Sequence, residues 1–244
     1  MVDTQSIQPH KTCIPNDNTH PLKASADVHV MTILTGMSIS NREIPLFRGA
    51  VIHLTKESEE LFHDHHGSGF RYSYPLIQYK IIDGNAAIVA VNEGTKSAKS
   101  LLPFMNSRIQ LGQRFADLLL SDMVSSDTTV ATSNEPHSYM MRRWLPLNQE
   151  NYSLYNRLED ASQRIKMLER LLTANILSFA KGVGIFMEST IDVRIVDIKE
   201  IKQLRYKNIQ MLGFNLLFKT NVTLPSYIGL GKGASLGFGT ITKQ

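Results

Sequence analysis

The strongest constraint on the fold is a tight turn between two apolar segments. Asp83 and Gly84 separate residues 76–82 from residues 86–91. An Asp-Gly pair accepts the two positive φ angles of a two-residue hairpin turn, whose twist matches that of its flanking strands. Both flanks are rich in the β-branched and apolar residues that strands favour. The sequence therefore predicts an antiparallel hairpin, and any fold of this chain contains a sheet here.

Patterns on either side of this hairpin give an order of elements. Residues 28–34 and 70–74 have the composition of strands, and residues 47–61 carry apolar side chains at helical spacing. A second helix is predicted at residues 94–102 and a further strand at residues 108–111. The order strand, helix, strand, strand, helix, strand is that of a split βαβ, or ferredoxin-like, domain.

The second half of the chain carries a similar but less complete order. We expect a strand at residues 139–147, a helix capped by Asn148 that continues to about Lys181, and strands at residues 191–198 and 209–220. The helix has an apolar stripe at steps of three and four, which predicts a face packed in a core. The stripe comprises Leu154, Leu158, Ile165, Leu168, Leu172, Ile176 and Phe179. Since no sequence repeat is visible, two tandem ferredoxin-like (RRM-like) domains of the α+β class are inferred from element order.

Three segments are therefore expected along the chain. Residues 1–25 are polar, contain three prolines and lack an apolar period, which predicts a mostly disordered lead-in. Residues 26–135 would form the N-terminal domain, and residues 136–244 the C-terminal domain.

The composition excludes some covalent links and metal sites and indicates a cellular location. Cys13 is the only cysteine, so an intramolecular disulfide and a zinc site built from several cysteines are excluded. No run of about 18 apolar residues and no signal-peptide pattern is present, so we expect a cytoplasmic protein with no membrane association.

Charge is distributed unevenly between the two halves. Residues 1–141 contain 11 Lys/Arg and 14 Asp/Glu, whereas residues 142–244 contain 15 Lys/Arg and 8 Asp/Glu. A basic half is typical of proteins that bind a polyanion, most often nucleic acid. Many basic proteins bind no nucleic acid, so charge alone leaves both possibilities open.

A dense glycine segment lies near the end of the chain. Residues 229–239 contain five glycines and Lys232, and a closing strand is expected at residues 240–241. Glycine permits positive φ angles and close backbone approach, and successive amides in such a loop can point together at an anion. A flexible surface loop is the alternative. A dinucleotide-binding loop is disfavoured, because that loop follows an early strand and opens a helix.

The densest cluster of titratable residues is His63-Asp64-His65-His66. In an extended segment, residues two apart share a face and lie about 6.6 Å from each other, so His63 and His65 could flank one phosphate. Imidazole titrates near neutral pH, so one ring can accept the proton of a ribose 2′-OH while the other protonates the leaving 5′ oxygen. RNA cleavage of this kind gives a 2′,3′-cyclic phosphate and a 5′-OH, and needs no metal.

Other roles for this region stay open. Closely spaced histidines often bind metal, but the His-x-His-x-Asp-His order of one hydrolase class is not completed after His65. The cluster could also be a solvated loop in a protein that only binds RNA. Tyr72 and Tyr74 could donate a proton or stack on a base, although half-buried sheet tyrosines are more common.

Several segments together resemble the Cas-six family of CRISPR RNA-processing endoribonucleases, of the RAMP superfamily, and in particular their b subtype. Residues 61–65, 72–80 and 87–94 resemble the N-terminal domain of that subtype. Residues 175–182 and 218–225, together with the glycine segment, resemble its C-terminal domain. The matches follow the family order from about residue 28 to residue 243.

The resemblance implies two ferredoxin-like domains and metal-independent cleavage of CRISPR precursor RNA within its repeats, without a cofactor. The family's histidines align on His63 and His65, which Tyr72 would assist. A non-catalytic RNA-binding subunit of an RNA-guided CRISPR complex is the alternative. The mature guide would pass to a CRISPR interference complex, and the protein would be a monomer or a homodimer.

The expected RNA contacts lie in the C-terminal half. They are Lys181, Lys219, Gly229, Gly231, Lys232, Gly233, Ser235, Gly237 and Gly239, with Arg142 and Arg143 as further candidates. Gly233 and Leu236 depart from the family, because many relatives carry a hydroxyl and a basic residue at these places. One or two side-chain contacts to RNA are therefore expected to be weaker or moved.

Overall fold

The computed structural model describes residues 24–55 and 74–244. Its first part contains a four-stranded sheet, two helices and a separate small hairpin. The elements are β1 (Ala26–Ser38), α1 (Ile44–Leu54), β2 (Ile77–Ile82), β3 (Asn85–Val91), α2 (Gly94–Lys99), β4 (Arg108–Leu111), β5 (Arg114–Asp117) and β6 (Leu120–Val130), with a 3-10 turn at Leu102–Phe104.

The first sheet has the strand order β2-β3-β1-β6, and all its neighbours are antiparallel. Within the described residues, α1 lies between β1 and β2 and α2 lies between β3 and β6, which is the ferredoxin-like arrangement. Asp83 and Gly84 have φ angles of 49° and 82°, so the predicted hairpin turn is confirmed.

The second part of the chain has the same arrangement, except that a glycine-rich segment replaces the second helix. Its elements are β7 (Thr132–Trp144), α3 (Gln149–Arg157), α4 (Ala161–Gly182), β8 (Val193–Tyr206), β9 (Ile209–Val222) and β10 (Thr240–Lys243). The strand order β10-β7-β9-β8 corresponds to the first sheet read from its other edge, β6-β1-β3-β2. The glycine-rich segment stands where the first domain has its second helix. Two tandem ferredoxin-like domains are therefore confirmed.

One continuous core joins the two domains. Ala87, Val89 and Val91 of β3 belong to the same buried cluster as Trp144 and the inner residues of α4, such as Leu172. The alternate residues of β3 face the other way and pack under α1, with Phe47 among their partners. Because both faces of β3 are covered, the strand is an almost continuous apolar run instead of an alternating one.

The strand that completes the first sheet was not predicted. Residues 108–111 do form a strand, but it pairs only with β5 in a two-stranded sheet. The place beside β1 belongs to β6, whose register runs from Ala26 opposite Val130 to Thr35 opposite Leu120. Nearly all of β6 is exposed, so its sequence lacks the apolar alternation that marks a half-buried strand.

The single long helix predicted from Asn148 is wrong. Asn148 does cap a helix, since its side chain accepts a hydrogen bond from the amide of Asn151 at 2.7 Å. The chain then becomes extended at Leu158, and Asp160 caps a second helix by accepting from the amide of Ser162 at 2.8 Å. The predicted core stripe holds within α4, whereas Leu154 of α3 is 46% exposed.

Some expectations fall outside the described residues. They are the lead-in up to residue 23, the predicted helix beyond Thr55 and the strand before Tyr74. The chain passes from the first sheet to the second at Ala131, so the expected domain boundary between residues 135 and 136 falls inside β7. Among the described residues, no helix is long and apolar enough to cross a bilayer.

Candidate functional site at the glycine loop

The glycine loop, residues 229–239, is closed at its base by backbone pairing. The amide of Leu230 donates to Gly239 at 2.9 Å, and Gly229 forms an isolated bridge with Thr240. Between these ends a 3-10 turn, Ala234–Leu236, is flanked by Gly233 and Gly237, both in the left-handed region. Three apolar side chains of the loop are buried: Leu230, Ala234 and Phe238. The loop is therefore a packed part of the fold.

Gly237 brings the loop against the first domain. Its φ is 74°, and a Cβ there would lie 3.0 Å from Cδ1 of Ile44 and 3.3 Å from the carbonyl oxygen of Tyr79. A side chain would thus be both strained and obstructed. Leu236, one of the two positions at which a departure from the family is expected, is half-buried and packs on the core beneath α1. An apolar residue at this position serves the contact between the domains.

Gln78 links the start of the glycine loop to Tyr74. Its fully buried amide oxygen accepts from the amide of Gly229 at 2.8 Å, while its nitrogen donates to the Tyr74 hydroxyl at 2.7 Å and to the Pro75 carbonyl at 3.0 Å. Burial raises the pKa of Tyr74, so its phenol stays protonated near neutral pH. The Tyr74 ring packs edge-on against Phe179 with a centroid distance of 5.0 Å. These contacts make Tyr74 an anchoring residue of the domain interface.

Lys80 is a fully buried cation beneath the loop. Its Nζ donates to Thr240 Oγ1 at 3.1 Å, and that hydroxyl in turn donates to the Gly237 carbonyl at 3.4 Å. Burial, and secondarily the charge of Arg143, lowers the pKa of Lys80 to about 7. Among the described residues, no carboxylate lies within salt-bridge distance of this ammonium group. With a pKa of about 7, Lys80 is a mixture of ammonium and amine near neutral pH, and below that pH its charge has no compensating acid among the described residues.

Arg143 holds the other side of the loop. It lies in an irregular part of β7 with a φ of 55°, and its carbonyl accepts from the amide of Gly239 at 3.2 Å. Its guanidinium lies 4.2 Å from the centroid of the Phe238 ring and donates to Asn41 Oδ1 at 2.5 Å. Burial lowers its pKa to about 10, which leaves it charged at neutral pH. Arg142, in contrast, is exposed and opposite Thr240.

The loop amides divide into two groups. The amides of Gly229 and Gly239 already donate within the protein. No described residue accepts a hydrogen bond from the amides of Gly231, Lys232 or Gly233. This run includes the exposed Lys232, so it is the part of the loop that can meet an anion.

The other expected RNA contacts are spread over the second domain. Ser235 is half-buried in the 3-10 turn of the loop. Lys181 is exposed in the last turn of α4, next to Gly182, which packs against Tyr74. Lys219 is exposed on β9 opposite Ser138, several positions along the sheet from Trp144. Lys181 is thus connected to the start of the loop indirectly, through Gly182, Tyr74 and Gln78, and Lys219 lies farther along the sheet.

The expected catalytic residues His63, His65 and Tyr72 lie outside the described residues. Within the described ranges, no group of three or more His, Cys, Asp or Glu side chains is arranged to hold a metal ion. Sequence reasoning missed Gln78, Lys80 and Asn41. Each looks like an ordinary strand or loop residue, and only the docking of the two domains brings it to the loop.

Comparison with known proteins places this site in a family. A Cas6b N-terminal domain model matches residues 26–129, and a Cas6b C-terminal domain model matches residues 131–244. A crystal structure of Cas6b is 28% identical, with a TM-score of 0.79 over 90% of this chain and 100% of that chain. A crystal structure of the CRISPR RNA processing endoribonuclease Cas6b is 26% identical, with a TM-score of 0.70 over the same shares.

One sequence relative is uncharacterized. An uncharacterized protein of Methanocaldococcus jannaschii is 30% identical over 100 residues, which are 41% of this chain and 67% of that protein. Both domain models match in order and together span nearly all of the described chain, and the full two-domain fold superposes on solved members. The chain belongs to the Cas6b family.

Proposed function

We propose that this protein is a metal-independent endoribonuclease that cuts CRISPR precursor RNA within its repeats. Membership of the Cas6b family supports this function, since one structurally similar member is a CRISPR RNA processing endoribonuclease. The observation that carries the proposal is the bond between Gly229 and Gln78, which also holds Tyr74. This contact anchors the glycine loop beside Tyr74, which lies eight residues after His66 in the sequence.

The proposed chemistry uses His63 and His65 as acid and base. One imidazole removes the proton of the 2′-OH, and the 2′ oxygen forms a bond to the adjacent phosphorus. The bond from phosphorus to the 5′ oxygen breaks, and the other imidazole supplies the proton to that oxygen. The products are a 2′,3′-cyclic phosphate and a 5′-OH, and Tyr72 assists as a hydrogen-bond donor.

The glycine loop would hold the RNA backbone near the cut. The amides of Gly231, Lys232 and Gly233 supply donors that no described residue uses, and the Lys232 side chain adds a mobile cation. Lys80 and Arg143 contribute positive potential from beneath the loop. Negative charge increases on the phosphoryl oxygens as the 2′ oxygen attacks, so donors fixed at this position favour the transition state.

The assay compares wild-type protein with His63→Ala and His65→Ala on repeat RNA in excess chelator. Cleavage by wild type in chelator, with loss in both variants, is the expected result. His53→Ala is a suitable control, because His53 is a described histidine on α1, outside the cluster. Loss of wild-type cutting in chelator would instead indicate a metal enzyme.

A second substrate tests the nucleophile. Replacing the ribose at the mapped cut site with deoxyribose removes the 2′ oxygen and should abolish cleavage while leaving binding intact. Continued cutting of this RNA would rule out the 2′-OH mechanism. Tight binding without cutting of any repeat RNA would indicate a non-catalytic RNA-binding subunit.

The setting of this activity belongs to the same proposal. The enzyme acts in the cytoplasm as a monomer or homodimer, and its product passes to a CRISPR interference complex. The basic C-terminal half supports RNA as the partner, since 15 Lys/Arg face 8 Asp/Glu from residue 142 onward. Lys181 and Lys219 would extend the contact with the RNA backbone beyond the loop.

A further inference from the structure

A cationic pocket of about 770 Å³ lies beside the glycine loop. It is bounded by the segment before α1, the turn between β8 and β9, and the loop itself. Its size falls within the range of roughly 300–1,000 Å³ that is usual for small-molecule sites. It is therefore large enough for one nucleotide.

The charge of this pocket is of one sign. Arg42, Arg143, Arg205 and Lys207 line it, and none of its lining residues within the described chain is an Asp or Glu. The neighbouring acid, Glu43, accepts from Arg114 Nε at 2.6 Å and also from Ser40, and these bonds hold its pKa at about 2. Because Glu43 is already paired, it does not balance the four cations of the pocket.

Two aromatic rings form the inner wall of the pocket. The ring of Phe238 is almost fully buried, and the Arg143 guanidinium covers one of its faces. Tyr206 meets Phe238 edge-on, with centroids 5.5 Å apart and planes at 87°. Tyr206 is half-buried and lines the pocket. Lys207 Nζ lies 5.7 Å from the centroid of the Tyr206 ring. Because the Lys207 side chain is exposed at the turn, it can move from the ring to a phosphate and leave a face of Tyr206 to an incoming base.

Gly233 fixes the position of this ring. A Cβ at Gly233 would lie 2.9 Å from Cε2 of Tyr206 and 2.9 Å from Cδ2 of Phe238. The β8–β9 turn can therefore rest on the glycine loop only because position 233 has no side chain. Lys207 and Asn208 form that turn with φ angles of 45° and 65°, so the turn is tight and places Tyr206 at its base. The absence of a side chain at Gly233 thus allows the loop to contact the Tyr206 ring.

We propose that this pocket binds one unpaired nucleotide of the substrate RNA, with its base stacked on Tyr206 and its phosphates on Arg42, Arg205 and Lys207. The inference rests on the proposed function, which supplies RNA as the ligand. A base in a duplex has both faces covered, so only an unpaired nucleotide can present a face to the ring. The unused amides of Gly231–Gly233 adjoin the same wall, so the chain of phosphates can continue from the pocket onto the loop.

The test uses repeat RNAs that each carry one 2-aminopurine, a fluorescent base whose emission reports stacking. A single position should change its emission on binding to wild-type protein. This change should persist in Tyr206→Phe, which keeps the ring, and disappear in Tyr206→Ala. Affinity for the RNA should fall by roughly 5- to 150-fold in Tyr206→Ala. Tyr152→Ala, at a comparable tyrosine exposed on α3, is the matched control and should have no effect.

The salt dependence of RNA affinity tests whether the cations of the pocket bind phosphate. Arg205→Ala and Lys207→Ala should each reduce the slope of log affinity against log salt by about one unit. Lys199→Ala on the same strand should leave the slope unchanged, because Lys199 already pairs with Asp197. Thermal melting of every variant identifies any loss of folding, and Tyr206→Leu keeps apolar contact with Phe238 while removing the aromatic face.

These outcomes separate the pocket from the catalytic proposal. If the fluorescence change depends on Tyr206 but no RNA is cut, the pocket stands and the endoribonuclease proposal fails. If the RNA is cut but no position responds to Tyr206→Ala, or Tyr206→Leu binds as tightly as Tyr206→Phe, the pocket proposal is overturned.

Discussion

Lys80 on β2 donates from Nζ to Thr240 Oγ1 at 3.1 Å and so joins the first sheet to the last strand of the second. The ammonium group is fully buried, and within the described chain its hydrogen-bond partner is a hydroxyl. A buried cation without an acid destabilises the free protein. In the proposed RNA site, the protonated Lys80 under the glycine loop would add positive potential for a bound phosphate.

Lys80→Met should stabilise the protein at pH 6 by on the order of a few kcal/mol. The folded-state pKa of Lys80 is about 7, below its ordinary value of 10.5. Between these values the unfolded chain binds a proton that the folded protein lacks, so wild-type stability rises with pH across this window. Lys80→Met should flatten that rise. Urea denaturation at pH 6 to 10 measures both effects, and exposed Lys96→Met is the control. A less stable Lys80→Met at pH 6 would refute the prediction.

Gly237→Ala should destabilise the protein by about 1–3 kcal/mol and weaken RNA binding. Its Cβ would press on Ile44 and on the carbonyl of Tyr79, in a backbone conformation with a φ of 74°. Gly84→Ala is a matched variant, because φ is 82° there and nothing lies within 4 Å of the added Cβ. Both changes strain the backbone, but only Gly237→Ala moves the loop. Equal RNA affinities for the two variants would show that the loop position does not matter.

Gln78→Leu should lower the free energy of unfolding by about 1–3 kcal/mol, because it leaves the buried amide of Gly229 without an acceptor. Tyr74→Phe should lower the free energy of unfolding by less, since the Gln78 nitrogen still donates to the Pro75 carbonyl at 3.0 Å. If Tyr74 is an anchor, Tyr74→Phe should also retain cleavage of repeat RNA. Chemical denaturation and single-turnover cleavage are the two measurements. Loss of cleavage in a stably folded Tyr74→Phe would assign the hydroxyl a role in the chemistry.

Asn175→Asp should weaken RNA binding several-fold at low salt while preserving the fold. Asn175 Oδ1 accepts from Trp144 Nε1 at 2.9 Å, and a carboxylate keeps that acceptor. The Asn175 side chain lies directly against Gly231, so the new negative charge would oppose an anion on the loop. Asn175→Ala should instead destabilise the protein, because the Trp144 donor loses its partner. Filter binding at 50 and 500 mM salt separates the two effects, since salt screens only the charge.

The fold was largely predictable because its local signals agree with its final pairing. Asp83-Gly84 fixes one hairpin, Asn148 caps a helix, and the inner stripe of α4 has helical period. The misses have physical reasons. The exposed strand β6 has no buried face, so its sequence does not alternate between apolar and polar residues. The end of helix α3 at Leu158 is signalled in the sequence only by Asp160, which caps the next helix.

The candidate site was less predictable than the fold. The glycine loop is evident in one stretch of sequence, but the residues that hold it in place come from the other domain. Gln78 bonds to Gly229 directly, whereas Lys80 acts through Thr240 and Asn41 through Arg143. Nothing near these residues in sequence distinguishes a strand lysine that becomes buried at an interface from one that faces water. The glycine at position 233 is visible in the sequence, but its contact with Tyr206 depends on the β8–β9 turn, which brings that ring to it.

The double burial of β3 also bears on how such a protein can change over generations. Ala87, Val89 and Val91 complete the core of the second domain, while Ala86, Ile88 and Ala90 complete that of the first. Recombination at Ala131 would join halves whose shared apolar surfaces had not been selected together. Exchange of either domain for that of a relative is therefore expected to disturb the core that β3 shares between them.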